Sequence, residues 1–299
     1  MPQTHVNGFD LYYKEGGQGT PVVFVHGGFP SLASTLNDFS SPNWQWTWEN
    51  DFAALFRFIY YERRGCYRSS CPDSGYELAN QALDLASLLD VLDVASVHVV
   101  GSSAGGPISL AFAALYPNRA RSLTLAGTAI DLFPADDPIS NRIRQLIAVL
   151  EHEGAEAAFA QRPEGVETSL EPLWVVNEMK ARGRYGRFLE REQQLADRVR
   201  TMPEAERVRY LAAELRSMQA YMQAYKSGDL PTWAAQVKCP TLVVHGSDDR
   251  EVPLAWGEPL ATMIPTARLH VVTGGGHSLV HRSVEGRKVV IDFIQSTQL

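Results

Sequence analysis

The sequence predicts an α/β fold, with a mostly parallel central sheet, helices on both faces and a helical insertion before the last strands. Three observations carry that expectation. Short apolar segments rich in β-branched residues alternate with helix-length segments. The apolar segments run without polar alternation, as strands buried on both faces do. From Asp131 to Leu230 the strand-like runs stop altogether. With 299 residues, 45% hydrophobic and 20% charged, the chain can bury a full-size core, and the composition excludes disorder.

Taken in order, Phe9 to Lys14 follows the turn signal Asn7-Gly8 and reads as the second arm of an opening hairpin. Buried strands are expected at Val22 to Val25, Phe56 to Tyr61, Val97 to Val100, Ser122 to Ala126, Thr241 to Val244 and Leu269 to Val272. Helices fit Leu78 to Leu92, on the stripe Leu83, Leu85, Leu88, Leu89 and Leu92, then Gly105 to Tyr116 and Val284 to Gln295. Past residue 130 the texture becomes Arg- and Glu-rich and amphipathic, broken at Pro138, Pro163-Glu164-Gly165, Pro172 and Pro203. The expected division is therefore an α/β core over 1–130 and 232–299, with a helical cap over 131–231. No repeat or low-complexity tract interrupts it.

With 34 acidic against 27 basic side chains the net charge is −7, which leaves no electrostatic footprint for nucleic acid or an anionic membrane. The start, Met1-Pro2-Gln3-Thr4-His5, has neither the charged nor the apolar region of a signal peptide, and no apolar run approaches the ~18 residues of a membrane span. A cytoplasmic protein acting on a small molecule is expected; the oligomeric state is not legible. Cys66, Cys71 and Cys239 are too few for a disulfide framework or a four-thiolate zinc site and read as free thiols.

Directly after the expected strand Val97 to Val100 comes Gly101-Ser102-Ser103-Ala104-Gly105-Gly106, then an apolar helix. This is G-x-S-x-G in the context its mechanics require: a sharp strand-to-helix turn strains the central residue and crowds the residues two before and two after, so both must be glycine. Ser103 meets that test. Ser102 does not, because Val100 and Ala104 hold the same offsets. The helix start aims backbone N–H groups at developing negative charge, making Ala104 N–H a first oxyanion donor. His26-Gly27-Gly28-Phe29-Pro30, after the Val22 to Val25 strand, offers a second donor from Gly28 or Phe29.

A serine needs a base to take its proton and a carboxylate to orient that base. His5, His26, His98, His152 and His245 suit structural places, whereas His277 lies in the flexible stretch Thr273-Gly274-Gly275-Gly276-His277-Ser278 leaving the last strand, and is the best base. His281 would share a helical face with it, without a third metal ligand nearby. For the acid, Asp248 and Asp249 end the Thr241 to Val244 strand, and Asp131 follows the strand before. Serine, acid, histidine is the chain order of one particular fold.

These motifs resemble the α/β-hydrolase superfamily over nearly the whole chain. The family's G-x-x-D-x-x-x-P pattern runs from Gly246 through Asp249 to Pro253, so the resemblance implies Asp249 as the acid, with Asp248 in reserve. Glu62-Arg63-Arg64-Gly65-Cys66-Tyr67-Arg68-Ser69 is similar to the family's D-x-R-G-x-G-x-S segment, with Glu62 for the usual Asp and Tyr67 for the second Gly, which implies a differently shaped loop. Haloalkane dehalogenases and epoxide hydrolases carry Asp at the elbow, so Ser103 excludes both. Within the serine branch the chain resembles esterases and enol-lactonases, and also proline iminopeptidases, whose HGGPG and G-G-S-W-G-S stand here as HGGFP and GSSAGG. The implied activity is ester or lactone hydrolysis through an acyl-enzyme, ahead of an aminopeptidase or a cofactor-free lyase or carbon–carbon hydrolase, with no cofactor and no metal.

Trp44, Trp46 and Trp48 could line an acyl or alcohol pocket or anchor their loop on the core, and Lys180, Arg182, Arg184 and Arg187 read as a solvated basic face. The cap is expected to set specificity without supplying chemistry. Its residues Leu211, Leu215, Met218 and Met222, at helical spacing, should present an apolar face downward.

Overall fold

Asn7 and Gly8 both take positive φ, 42° and 80°, the pair of angles that lets two strands reverse with no intervening loop. β1 (Gln3–Val6) and β2 (Phe9–Gly16) therefore form the expected hairpin. The computed structural model describes residues 3–30, 47–161 and 201–297. The remaining strands are β3 (Pro21–Val25), β4 (Arg57–Tyr61), β5 (Val97–Ser102), β6 (Ala120–Ala126), β7 (Thr241–Gly246) and β8 (Ala267–Val272). They lie in one sheet in the order β1-β2-β4-β3-β5-β6-β7-β8. β1 and β2 pair antiparallel and every pair from β4 to β8 is parallel.

Side chains alternate across a strand, and the core divides accordingly. On one face, Val23, Val25, Ile59, Val97, Val99, Leu123 and Val243 pack under α2 (Leu78–Val91) and α3 (Gly105–Leu115). On the other, Val22, Phe24, Phe58, Tyr60, Val100, Leu242 and Val244 meet Phe52 of α1 (Thr47–Ala53) and Phe293 and Ile294 of α10 (Val284–Ser296). The strands and three helices read from the sequence are all present, with ends shifted by one or two residues in most cases.

Two expectations are corrected. Leu83 belongs to the apolar stripe of α2 by spacing but is exposed, because Gln81 and Asp84 take the inward positions. Asp84 earns its burial by accepting from Arg64 Nε at 2.8 Å. β8 is not buried on both sides: it pairs only with β7, and Leu269 and Val271 are each 37% exposed at the sheet edge.

Between β6 and β7 the described chain is helical: α4 (Pro138–Glu153), α5 (Ala155–Ala160), α6 (Glu204–Lys226) and α7 (Asp229–Gln236). α6 buries Leu211, Leu215 and Met218, with Met222 partly buried, so the apolar face read from their spacing is the packed one. It lies against α4, α5 and α2, while α7 rests on α3. α8 (Leu254–Met263) has no clear helix signature in the sequence, since Pro259 interrupts it; α9 (Leu279–Arg282) is a single turn before α10.

Candidate active site

All parallel strands point their carboxyl ends the same way, so the segments following β3, β5, β6, β7 and β8 converge at one edge. Ser103 stands at the turn from β5 into α3 with φ +50°, a left-handed conformation costly for any residue with a Cβ. Its neighbours show why the chain accepts it. A Cβ on Gly101 would lie 2.8 Å from the carbonyl oxygen of Gly105, and one on Gly105 would lie 2.1 Å from the Val25 carbonyl oxygen. A Cβ on Gly27 would lie 2.8 Å from Ser103 Cβ itself. The turn is held from both sides, by Ser103 N–H to Ala126 O at 2.9 Å and Gly106 N–H to Ser103 O at 2.8 Å. Ser102, by contrast, is the last residue of β5 and buried.

Asp249 and His277 are brought together. Asp249 is buried just beyond β7, and its Oδ2 accepts from His277 Nδ1 at 2.9 Å. Oδ1 accepts from the backbone N–H groups of Glu251 and Val252, both at 2.9 Å. His245 adds a donor: its Nε2 lies 2.8 Å from Val252 O and 3.4 Å from Asp249 Oδ2, and between two acceptors that nitrogen must carry its proton. Burial pushes the Asp249 carboxyl up, but the hydrogen bonds from His245 and His277 outweigh it and hold the group at about 2. Burial likewise pushes the His277 ring down, yet the bond to Asp249 and the charge on Glu251 leave it above its ordinary 6.5. Its other nitrogen, Nε2, faces Glu251 Oε2 at 3.4 Å.

The remaining sequence candidates lie apart from this pair. Asp248 is exposed, with Oδ1 accepting from Ser247 Oγ at 2.9 Å. Asp131 is half-buried and accepts from Phe133 N–H at 2.8 Å. His26 donates from Nδ1 to Gly27 O at 2.7 Å and accepts the Arg63 N–H on Nε2 at 3.0 Å; burial holds its pKa well below the ordinary value. His281 sits edge-on to Phe24 with ring centroids 5.3 Å apart, and burial, aided by the charge of His277, holds it at about 3. His98 bonds Ser122 Oγ at 2.8 Å inside the sheet, and His5 bonds Asp10 at the hairpin.

Of the oxyanion candidates, Gly28 takes φ +75°, and Gly28 and Phe29 follow β3 at the same edge as Ala104. The loop after β4 is held by its own charges. Glu62 is buried and its carboxylate accepts from Arg68 N–H at 2.7 Å and Arg68 Nε at 2.9 Å, while Tyr67 takes the φ of +51° that a glycine would take without strain. Trp44, Trp46 and the Trp48 side chain, and Lys180, Arg182, Arg184 and Arg187, lie outside the described residues. Sequence reasoning missed two neighbours of the pair. The sequence gives His245 only a structural place, and Glu251 carries no signal beyond sitting two residues after the acid.

A strained serine at a strand-to-helix turn, at one sheet edge with a buried carboxylate–histidine pair, defines an enzyme of hydrolase type. The chain belongs to the alpha/beta hydrolase fold family, whose model matches residues 20–282. It is 26% identical over 299 residues to the 2-hydroxy-6-oxo-6-phenylhexa-2,4-dienoate hydrolase of Comamonas testosteroni, covering 99% of this chain and 94% of that protein. Among solved structures it is similar to a thermophilic esterase from Thermogutta terrifontis, with TM-score 0.66, 22% identity and coverage of 99% and 97%. The enol-lactonase from Burkholderia xenovorans LB400 gives TM-score 0.63, 22% identity and coverage of 98% and 100%.

Two expectations follow. Gly105→Ala should cost about 3 kcal/mol or more, because its methyl meets fixed backbone, whereas Gly8→Ala, with open space but φ +80°, should cost roughly 1–2 kcal/mol; urea unfolding of the two variants checks the order. Glu251→Gln removes a negative charge that favours the imidazolium, so the His277 titration followed by NMR should move to lower pH than in the parent, where it lies above 6.5.

Proposed function

We propose that the protein is a serine hydrolase that cleaves a small-molecule carboxylic ester or lactone through Ser103, His277 and Asp249. The observation that carries this reading is the 2.9 Å contact between His277 Nδ1 and a buried Asp249 held at about 2, at the same sheet edge as the strained Ser103. Because the carboxylate fixes the proton on Nδ1, the neutral ring carries its lone pair on Nε2, the nitrogen that faces Glu251 Oε2 at 3.4 Å, and accepts there. His277 takes the Ser103 proton and Ser103 Oγ attacks the substrate carbonyl. The backbone N–H of Ala104, with that of Gly28 or Phe29, receives the oxyanion. Collapse of the tetrahedral species expels the alcohol, which takes the proton from His277; a water activated by the same ring then releases the acyl group. Asp249 stays ionised throughout, since its hydrogen bonds all favour the anion.

Residues 131–231 act in this reading as the cap that selects the substrate, around a core of 1–130 and 232–299. The setting is cytoplasmic; no helix among the described residues is long and apolar enough to cross a membrane. A second reading, hydrolysis of a carbon–carbon bond by the same residues, is favoured by the Comamonas testosteroni relative, which is named for such a substrate and aligns with 99% of this chain. Product analysis on a panel of esters, lactones and a dienoate ketone separates the two.

Ser103→Ala should abolish ester turnover, on the order of 10⁶ in kcat, while Ser102→Ala should keep most of it; equal losses in a p-nitrophenyl ester assay would refute the assignment. Asp249→Asn should lower kcat by roughly 10⁴, with Asp248→Asn and Asp131→Asn near the parent. If Asp131→Asn proves the damaging change, the orienting acid has been misplaced.

A further inference from the structure

Beside the Gly27-Gly28 loop lies a buried cation that the proposed triad does not use. Arg63, just after β4, is 2% exposed, and among the described residues it has no carboxylate partner. A guanidinium taken out of water is costly unless its donors are well placed. Here Nη2 donates to the carbonyl oxygen of Gly28 in a close contact and reaches that of Gly27 at 3.4 Å. Nη1 reaches Gln81 Oε1 at 3.4 Å and the Tyr221 hydroxyl at 3.3 Å. In a trans peptide the C=O and N–H point in opposite directions. With the Gly27 and Gly28 carbonyls turned toward Arg63, the N–H groups of Gly28 and Phe29 are turned away from it.

Tyr221 belongs to α6, in the cap, yet its hydroxyl donates to the carbonyl oxygen of Ala104, the residue after Ser103, in another close contact. Through Arg63 one phenol thus links the two segments that carry the candidate oxyanion donors, accepting from the guanidinium that holds the Gly28 carbonyl and donating to the elbow. Burial pushes its pKa up to about 12, so it keeps the proton it donates. A second, apolar contact runs the same way. The Phe29 ring packs against that of Tyr221, at 5.2 Å and near perpendicular, and against that of Phe133, at 5.5 Å.

We infer that Tyr221, backed by Arg63, is a positioning residue for the oxyanion hole, so that cap helix α6 contributes to the rate of the chemical step and not to substrate choice alone. The inference rests on the serine-hydrolase reading. It assigns the second donor to Phe29, whose peptide unit is fixed at its carbonyl by Arg63 and at its ring by Tyr221. The hydroxyl touches no reacting atom; it acts through the backbone it holds.

The test compares Tyr221→Phe with the parent, with Tyr225→Phe as a control on an exposed position of the same helix. Four quantities are measured: kcat and KM on a p-nitrophenyl ester, the affinity for a trifluoromethyl ketone that forms an anionic hemiketal on the serine, and the pH midpoint of kcat. A hole held less well stabilises the anion less, so kcat should fall roughly tenfold, the scale of one net hydrogen bond. Ketone affinity should fall by the same factor, with KM and the pH midpoint unchanged and Tyr225→Phe like the parent. Unchanged kcat and ketone affinity in Tyr221→Phe, while Ser103→Ala abolishes turnover, would overturn the inference and leave the hydrolase reading standing. A lowered Tm with raised KM and unaltered ketone affinity would mark the phenol as a packing group and overturn it equally. Turnover surviving in Ser103→Ala would remove the reading beneath it.

Discussion

The close approach of two parallel strand ends is the constraint on which the rest of the site depends. β3 and β5 are hydrogen-bonded neighbours whose register pairs Val25 with Gly101. Beyond that pair, one chain must turn aside as a loop and the other must turn back as a helix within a few ångströms of it. The Val25 carbonyl oxygen occupies the volume a side chain at residue 105 would need, and Ser103 Cβ occupies the volume one at residue 27 would need. With glycine at 27, 101 and 105 the two backbones can share that space. Ser103 stands at the crest of the turn and takes φ +50°.

Strain at one point is held by good bonding around it. The loop after β4 carries a second non-glycine residue in the left-handed region, Tyr67, and several polar groups around it bond one another. Glu62 is capped by Arg68, and Ser69 Oγ donates to Glu62 O at 2.6 Å while accepting the Tyr12 N–H at 2.9 Å. The Tyr67 ring faces His26 with centroids 5.2 Å apart. His26 in turn receives the Arg63 N–H, so β2, the β4 loop and the loop after β3 form one bonded unit. Such over-determination lets a chain keep two unfavourable backbone conformations near one another.

How much of this was legible in the sequence follows from the range of each interaction. Strand and helix positions were readable because burial imposes a period on neighbouring residues, and the serine turn because crowding fixes glycine at set offsets. The pairing of His277 with a carboxylate was legible only as a choice among Asp131, Asp248 and Asp249, which the resemblance to a known family narrowed. Contacts between segments far apart in the chain leave no local pattern. Nothing near Tyr221 announces that its hydroxyl meets Ala104, 117 residues away. The misreading of Leu83 has the same origin: the helix stripe was drawn from one strip of sequence, while the residue that claimed the inward position, Asp84, did so for the sake of Arg64 in a different loop. The exposure of β8 depends on its being the last strand in the sheet, which is a property of the order and not of the strand.

Asp249 has a donor on every side: two backbone N–H groups on Oδ1, and His277 and His245 on Oδ2. An incoming proton could attach only by displacing one of them. The carboxylate is therefore a charge of constant sign at a constant place, surrounded by protein instead of mobile water dipoles. What it exerts on its surroundings is a standing electric field whose direction was settled when the loop after β7 closed. A proton moving onto His277 travels down a potential already in place, and little reorientation of the surroundings has to accompany the move.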